Sequence, residues 1–154
     1  MPTPSARQTL TTAQADYLAQ HRVAHLATAG TDGQPHVVPC CFALVAGAIY
    51  TPLDAKPKRV PVEQLRRVRD LRANPAVCLT VDDYDEDWRR LRWLQVRGEA
   101  ALVPPGAAEG EHARAIAALR LRYAQYREMP LEELPVIRIQ PRRVVGWAWT
   151  VQDN

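Results

Sequence analysis

Along most of this chain apolar and polar residues alternate, and the alternation predicts strands more often than helices. Strands are expected over residues 23–28 and 36–45, joined by a tight turn at Asp32-Gly33. A second turn at Ala46-Gly47 leads to a third strand over 49–51. Three antiparallel strands would then follow one another closely. Further strands are expected over 76–81 and 93–102, on either side of an acidic connection, and a last pair over 134–139 and 144–149. Helical spacing appears in three places. Leu10, Ala13, Tyr17 and Leu18 fall on one side of a helix over 9–21, with Thr11 or Thr12 as its N-cap. A second helix opens near Pro61, where the missing N–H is no loss, and ends at Asn74-Pro75. A third, over 109–126, carries Ala113, Ile116, Ala117, Leu121 and Ala124 on its apolar side. Strands in this number, linked by hairpins, make the expected fold class mainly β: a small antiparallel barrel with a few helices.

Length adds the expectation of one domain, since 154 residues can bury a core of their own, with residues 1–8 as a loose tail. No apolar run approaches a membrane span, and the opening MPTPSARQTL lacks the apolar stretch of an export signal. Cys40, Cys41 and Cys78 match neither a disulfide framework nor a zinc spacing. Reduced thiols in a cytoplasmic protein are the expectation.

Charge changes the picture more. Lys56, Lys58, Arg59, Arg66, Arg67, Arg69 and Arg72 are seven of the twenty basic residues, opposed within that stretch only by Glu63 and Asp70. The rest of the chain holds 13 basic against 15 acidic residues, so the formal net charge of +3 arises from this one segment. A nucleic-acid surface spreads its charge along a face, whereas a local excess suits a small anion, and no nucleic-acid partner is expected. The chain's only two lysines stand in this loop. A compact ammonium on a flexible stem suits a phosphate, and Arg59 adds a bidentate grip. Lys56, Lys58 and Arg59, between a strand end and a helix start, are therefore the candidate phosphate site. On the helix that follows, Glu63 with Arg67 and Arg66 with Asp70 are spaced as i,i+4 ion pairs.

Other chemistry is missing from the sequence. It contains no Gly-rich dinucleotide fingerprint and no P-loop, and its four histidines show no ligand spacing, so no metal site is expected. Ser5 is the only serine, and Cys40 and Cys41 lie in an apolar strand where a thiol is inert. Redox chemistry on such a chain would belong to a bound cofactor, with the protein supplying position and electrostatics. Four tryptophans against one phenylalanine is an unusual choice, and Trp93 and Trp147 are placed near strand ends, where a ring walls a planar ligand.

The ordered series AHLATAGTDGQPHVVPCCFAL, IYTPLDAKPKR, LRRVRDLRANPAVCLTVDDYDEDW, LQVRGEA and VVGWAW resembles the split β-barrel flavin/deazaflavin oxidoreductase superfamily, FMN-binding-protein-like in fold. More narrowly it resembles the F420-dependent branch of the pyridoxamine 5′-phosphate oxidase-like proteins, with DAKPKR and YDEDW as its most specific stretches. The resemblance implies a homodimer with two cofactor sites in grooves between the subunits. Carried over by position, it implies Val38 and Pro39 beside the ring, and Thr51, Lys56, Lys58 and Arg59 around the phosphate. Gln95 would be a polar contact from the fifth strand and Trp147 a late aromatic near the ring. It implies F420 as cofactor, with FMN as the alternative, and hydride transfer to a small unsaturated molecule. A flavin, deazaflavin or haem carrier without turnover is the reading from another class. Arg66, Arg67 and Arg69 are candidates for the carboxylate tail of F420. Pyridoxamine-phosphate oxidases proper end on a basic motif of the RLHDR kind. This chain ends VVGWAWTVQDN, which argues against that substrate.

Overall fold

A computed structural model describes residues 9–53 and 61–148. Seven antiparallel strands form one sheet in the order β2-β1-β5-β6-β7-β4-β3. They are β1 (Ala24–Ala29), β2 (Pro35–Cys40), β3 (Ala43–Val45), β4 (Ala48–Pro52), β5 (Ala76–Asp83), β6 (Arg92–Val103) and β7 (Val136–Ala148). The helices are α1 (Thr12–Gln20), α2 (Arg66–Ala73) and α3 (Glu111–Arg122). The two edge strands, β2 and β3, are consecutive in the chain, and only Cys41 and Phe42 separate Cys40 from Ala43. Three Cα steps reach at most about 11 Å, so the edges lie side by side and the sheet curls into a half-closed barrel.

The strand expected over 36–45 is therefore two strands that pair at opposite edges, β2 with β1 and β3 with β4. The break falls at Phe42, whose side chain is fully buried and whose backbone leaves the ladder. Tyr123 replaces the lost partners: its hydroxyl accepts from the Phe42 N–H at 3.1 Å and stands 2.9 Å from the Phe42 carbonyl oxygen. The turn between β3 and β4 does form at Ala46 and Gly47, both at positive φ (49° and 80°), as a two-residue hairpin with right-handed twist requires.

The final pair of strands is one continuous strand, β7, laddered along all of β6. Pro141 lacks a donor, and the register jumps there from Arg97↔Arg143 to Gly98↔Pro141, leaving Arg142 as a bulge. Gly98 is required at this point, since a Cβ on it would stand 2.4 Å from the Gln140 carbonyl oxygen.

Inside the barrel lie Leu26, Ile49, Leu79, Val96, Ile137 and Ile139, with Leu18 of α1 and Val68 and Leu71 of α2 in the same core. Thr11 caps α1 in a capping box with Gln14. The helix expected from Pro61 begins with a 3₁₀ turn over Val62–Gln64. Extended Leu65 (ψ 135°) then delays α2 to Arg66. The third helix starts late, at Glu111, after Glu109 and Gly110 at positive φ, and ends at Arg122. Its buried stripe is His112, Ala115, Ile116 and Leu119, packed over β3 and β4, while Leu121 is 86% exposed. The expected face was wrong because alanines lie on both sides and His112 reads as polar. In the fold its Nε2 is 2.8 Å from the Leu134 carbonyl oxygen.

Candidate active site

Strand alternation and register together define an open face on the barrel. Leu26, Leu79, Val96 and Val144 align across four strands with their side chains inward. One residue further along, Pro39, His25, Thr80, Gln95 and Val145 align across β2, β1, β5, β6 and β7, and none of the five is buried. Their side chains must point outward, because successive residues alternate faces. Two positions along on the same face come Asp82, Trp93 and Trp147, again in register. Trp147 is 40% exposed.

Of the residues that the resemblance assigns to one site, Pro39, Gln95 and Trp147 share this face. Gln95 accepts from Arg97 Nε at 3.0 Å, which orients its amide. Val38 points the other way and packs against the barrel core. Thr51 stands on the same side of β4 as Ile49 and Leu53, both in the core, and is only 2% exposed. It pairs with Ile137, which lies opposite Leu102, whereas Trp147 lies opposite Trp93. Nine residue steps along β6 separate those two points, on the order of 30 Å. Lys56, Lys58 and Arg59 lie outside the described residues.

The helix arginines are not equivalent. Arg66 Nε donates to Asp70 at 2.9 Å, and Arg66 Nη2 is 3.1 Å from both oxygens of Asp32. Asp70, only 3% exposed, also accepts from the Thr28 hydroxyl at 2.8 Å. The Asp70 hydrogen bond, with the Asp32 and Asp70 charges, raises the Arg66 guanidinium further above its ordinary range. Arg66 is thus a structural clamp between α2 and the β1–β2 turn. Arg69 and Arg67 make no ion pair among the described residues, and Arg69 lines a groove of about 170 Å³ with Gly30, Thr31 and Ala73. The expected Glu63–Arg67 pair does not form, since Glu63 belongs to the 3₁₀ turn ahead of α2 and is out of its register.

At the other end of the barrel a cleft of about 410 Å³ opens between α1 and the ends of β6 and β7, lined by Gln14, Tyr17, Arg92, Trp93, Leu94 and Trp147 among others. Arg92 lies over the Tyr17 ring, 4.7 Å from its centroid, and donates through Nε to Asp83 at 2.7 Å. His21 Nε2 is 3.1 Å from the other Asp83 oxygen. Burial alone would raise the Asp83 carboxyl. Hydrogen bonds from Arg92 and His21 outweigh it and hold that carboxyl below its ordinary value.

Sequence reasoning missed a second, polar cleft of about 530 Å³ beside the start of α3. Glu111 there accepts from the Tyr50 hydroxyl at 2.9 Å and from Arg138 at 3.0 Å, and Arg142 donates to Glu99 at 2.7 Å. Burial, then Glu111, pushes the Tyr50 phenol up to about 12. These partners are 61 and 43 residues apart in the chain, so no local motif announces them. Among the described residues no group of three or more His, Cys, Asp or Glu is placed to hold a metal ion. None of their helices is long and apolar enough to cross a membrane.

A curled antiparallel sheet with one open face is the architecture of the split barrels, and comparison with known proteins agrees. The family model for pyridoxamine 5′-phosphate oxidase matches residues 10–148. The chain belongs to that family. A conserved hypothetical protein from Mycobacterium tuberculosis superposes with a TM-score of 0.69 at 26% identity, over 93% of this chain and 88% of that one. An FAD-binding protein from Mesorhizobium loti shares the fold at 24% identity (TM-score 0.62; 90% and 93% covered). So does HutZ, the haem storage protein of Vibrio cholerae, at 17% identity (TM-score 0.64; 92% and 95% covered). A search of curated proteins gives no match.

Proposed function

We propose that this protein is an oxidoreductase working through a bound deazaflavin, F420, held against the open face around Gln95 and Trp147 in a site completed by a second copy of the chain. The single observation that carries this reading is the separation of Thr51 from Trp147 along β6 and β7. One chain provides the two halves of the expected site at opposite ends of its barrel, and a two-fold axis brings the end of one against the face of the other. Gln95 offers an amide to the polar edge of a planar ring, and Trp147 offers a wall to its flat side. The bound cofactor supplies the hydride, to a small unsaturated molecule; no side chain on this face has to ionise for that step. The chain's part is orientation and exclusion of water.

FMN is the second reading, and one observation favours it. Arg66, a candidate for the carboxylate tail of F420, is already neutralised by Asp70 and Asp32, so only Arg67 and Arg69 remain for that tail on α2 among these candidates. The neighbour that is an FAD-binding protein also supports a flavin ring in this fold. Titrating cofactor-free protein with F420 and FMN at two salt concentrations separates the readings. Under the F420 reading F420 binds more tightly, with an affinity that falls more steeply with salt, and Arg69→Ala flattens that fall while leaving FMN unchanged. Tighter FMN binding, with Arg69→Ala silent toward F420, moves the assignment to the flavin. A haem carrier would instead show a haem absorption band on the purified protein and bind neither ring.

A further inference from the structure

The cleft between α1 and the ends of β6 and β7 meets the open face of the proposed cofactor site at Trp93 and Trp147, and its lining defines a class of ligand. Three aromatic rings, Tyr17, Trp93 and Trp147, wall it together with Leu94, and among the described residues the amide of Gln14 is the one uncharged polar side chain in the lining besides these rings' own hydroxyl and indole N–H groups. Its volume, about 410 Å³, lies within the range of small-molecule sites. Among the described residues Arg92 is the only charged one in the lining. Its guanidinium is stacked on Tyr17 and bonded to Asp83, which stands just behind the cleft. Burial, with the Asp83 carboxylate beside it, pushes the Tyr17 phenol up to about 12, so that ring carries no charge at neutral pH. The Tyr17 hydroxyl is itself committed, donating to the Arg92 carbonyl oxygen at 3.1 Å. Cation and carboxylate therefore cancel within the wall, and what faces the cleft is aromatic surface with one amide.

We propose that this cleft binds an uncharged, planar, conjugated molecule, and that Asp83, by cancelling Arg92, excludes anions of the same shape. Flat rings are recognised by the faces and edges of the three aromatic walls. Exclusion of the anion is specificity by a countercharge already in place, because an incoming carboxylate would have to displace Asp83 from Arg92. Identifying the bound molecule as the hydride acceptor rests on the cofactor reading above; the binding itself does not.

Calorimetric titration of the cofactor-free full chain with 2-naphthol, 2-naphthoate and 2-naphthylmethylammonium tests the inference. Naphthol should bind about tenfold more tightly than naphthoate, and Tyr17→Ala and Trp147→Ala should each weaken naphthol by about fivefold or more. Asp83→Asn should raise naphthoate affinity to that of naphthol or beyond. Naphthoate binding as well as naphthol in the unaltered chain, or naphthol indifferent to both aromatic truncations, would overturn the proposal. Should Asp83→Asn fail to fold, Arg92→Gln serves in its place: it removes the guanidinium from Asp83 and leaves only the His21 imidazole beside it, so the ammonium probe should gain about fivefold, and no gain contradicts the assignment. Naphthol binding by a chain that takes up neither F420 nor FMN sustains this inference and removes the cofactor reading. Cofactor uptake without naphthol binding does the reverse.

Discussion

Thr51 and Trp147 stand at opposite ends of the β6–β7 ladder, one opposite Ile137 and the other opposite Trp93. Leu53, from which the lysine loop continues in sequence, is in the core near the Thr51 end. Under the proposed function, a planar cofactor held by Lys58 and Trp147 meets them from different chains.

Lys58 is expected to hold the cofactor phosphate. Lys58→Ala should weaken cofactor binding by about 1–3 kcal/mol, the loss of a charge-assisted hydrogen bond, and hardly move the urea midpoint. An unchanged dissociation constant would return this loop to the role of a solvated charge run.

Gly98 faces backbone at the bulge. An added Cβ would stand 2.4 Å from the Gln140 carbonyl oxygen, which no rotamer change relieves. Gly98→Ala should destabilise the fold by about 3 kcal/mol, read as a lower urea midpoint. Gly47→Ala, where nothing lies within 4 Å of the new atom and the strain is that of positive φ alone, should cost less, about 1–2 kcal/mol.

Thr28 satisfies one oxygen of buried Asp70. Thr28→Val keeps the shape and removes the donor, and should lower stability by about 1–2 kcal/mol with cofactor affinity unchanged. Arg66→Ala should also destabilise, since it leaves Asp70 without its cation. Arg69→Ala should not. Equal stability of the two arginine variants would contradict the structural assignment of Arg66.

Burial first, and then the carboxylates of Asp83 and Glu111, push the Tyr17 and Tyr50 phenols up to about 12. An unfolded tyrosine gives up its proton near 10. Between about pH 10 and 12 the unfolded chain releases protons that the folded chain retains, so stability must fall across that window. Urea midpoints measured from pH 9 to 11.5 should drop, and Tyr17→Phe and Tyr50→Phe should each drop less steeply.

What the sequence made legible was local. The Asp32-Gly33 and Ala46-Gly47 turns, the Thr11 cap and the Asn74-Pro75 stop each depend on residues within a few positions, and all appear in the fold. Arg66–Asp70 was legible as an i,i+4 pair, but the share taken by Asp32, 34 residues away, was not. The division of 36–45 into two edge strands depends on Tyr123, 81 residues from Phe42, and no pattern near Phe42 signals it. The candidate site followed the same rule. Pro39, Gln95 and Trp147 share a face because strand parity is readable once the register is known, while the burial of Thr51 and the inward turn of Val38 depend on which face the core takes.

The most direct measurement is subunit complementation. Chains carrying Lys58→Ala and chains carrying Trp147→Ala are co-expressed with different tags, the mixed dimer is isolated, and its cofactor stoichiometry is titrated. If each site takes its loop from one chain and its tryptophan from the other, the mixed dimer contains one intact site and one doubly broken site. It should bind one cofactor with unaltered affinity, while both parent variants bind weakly. A mixed dimer with two equally weakened sites, or a protein that light scattering shows to be a monomer of 17.3 kDa, would contradict the shared site.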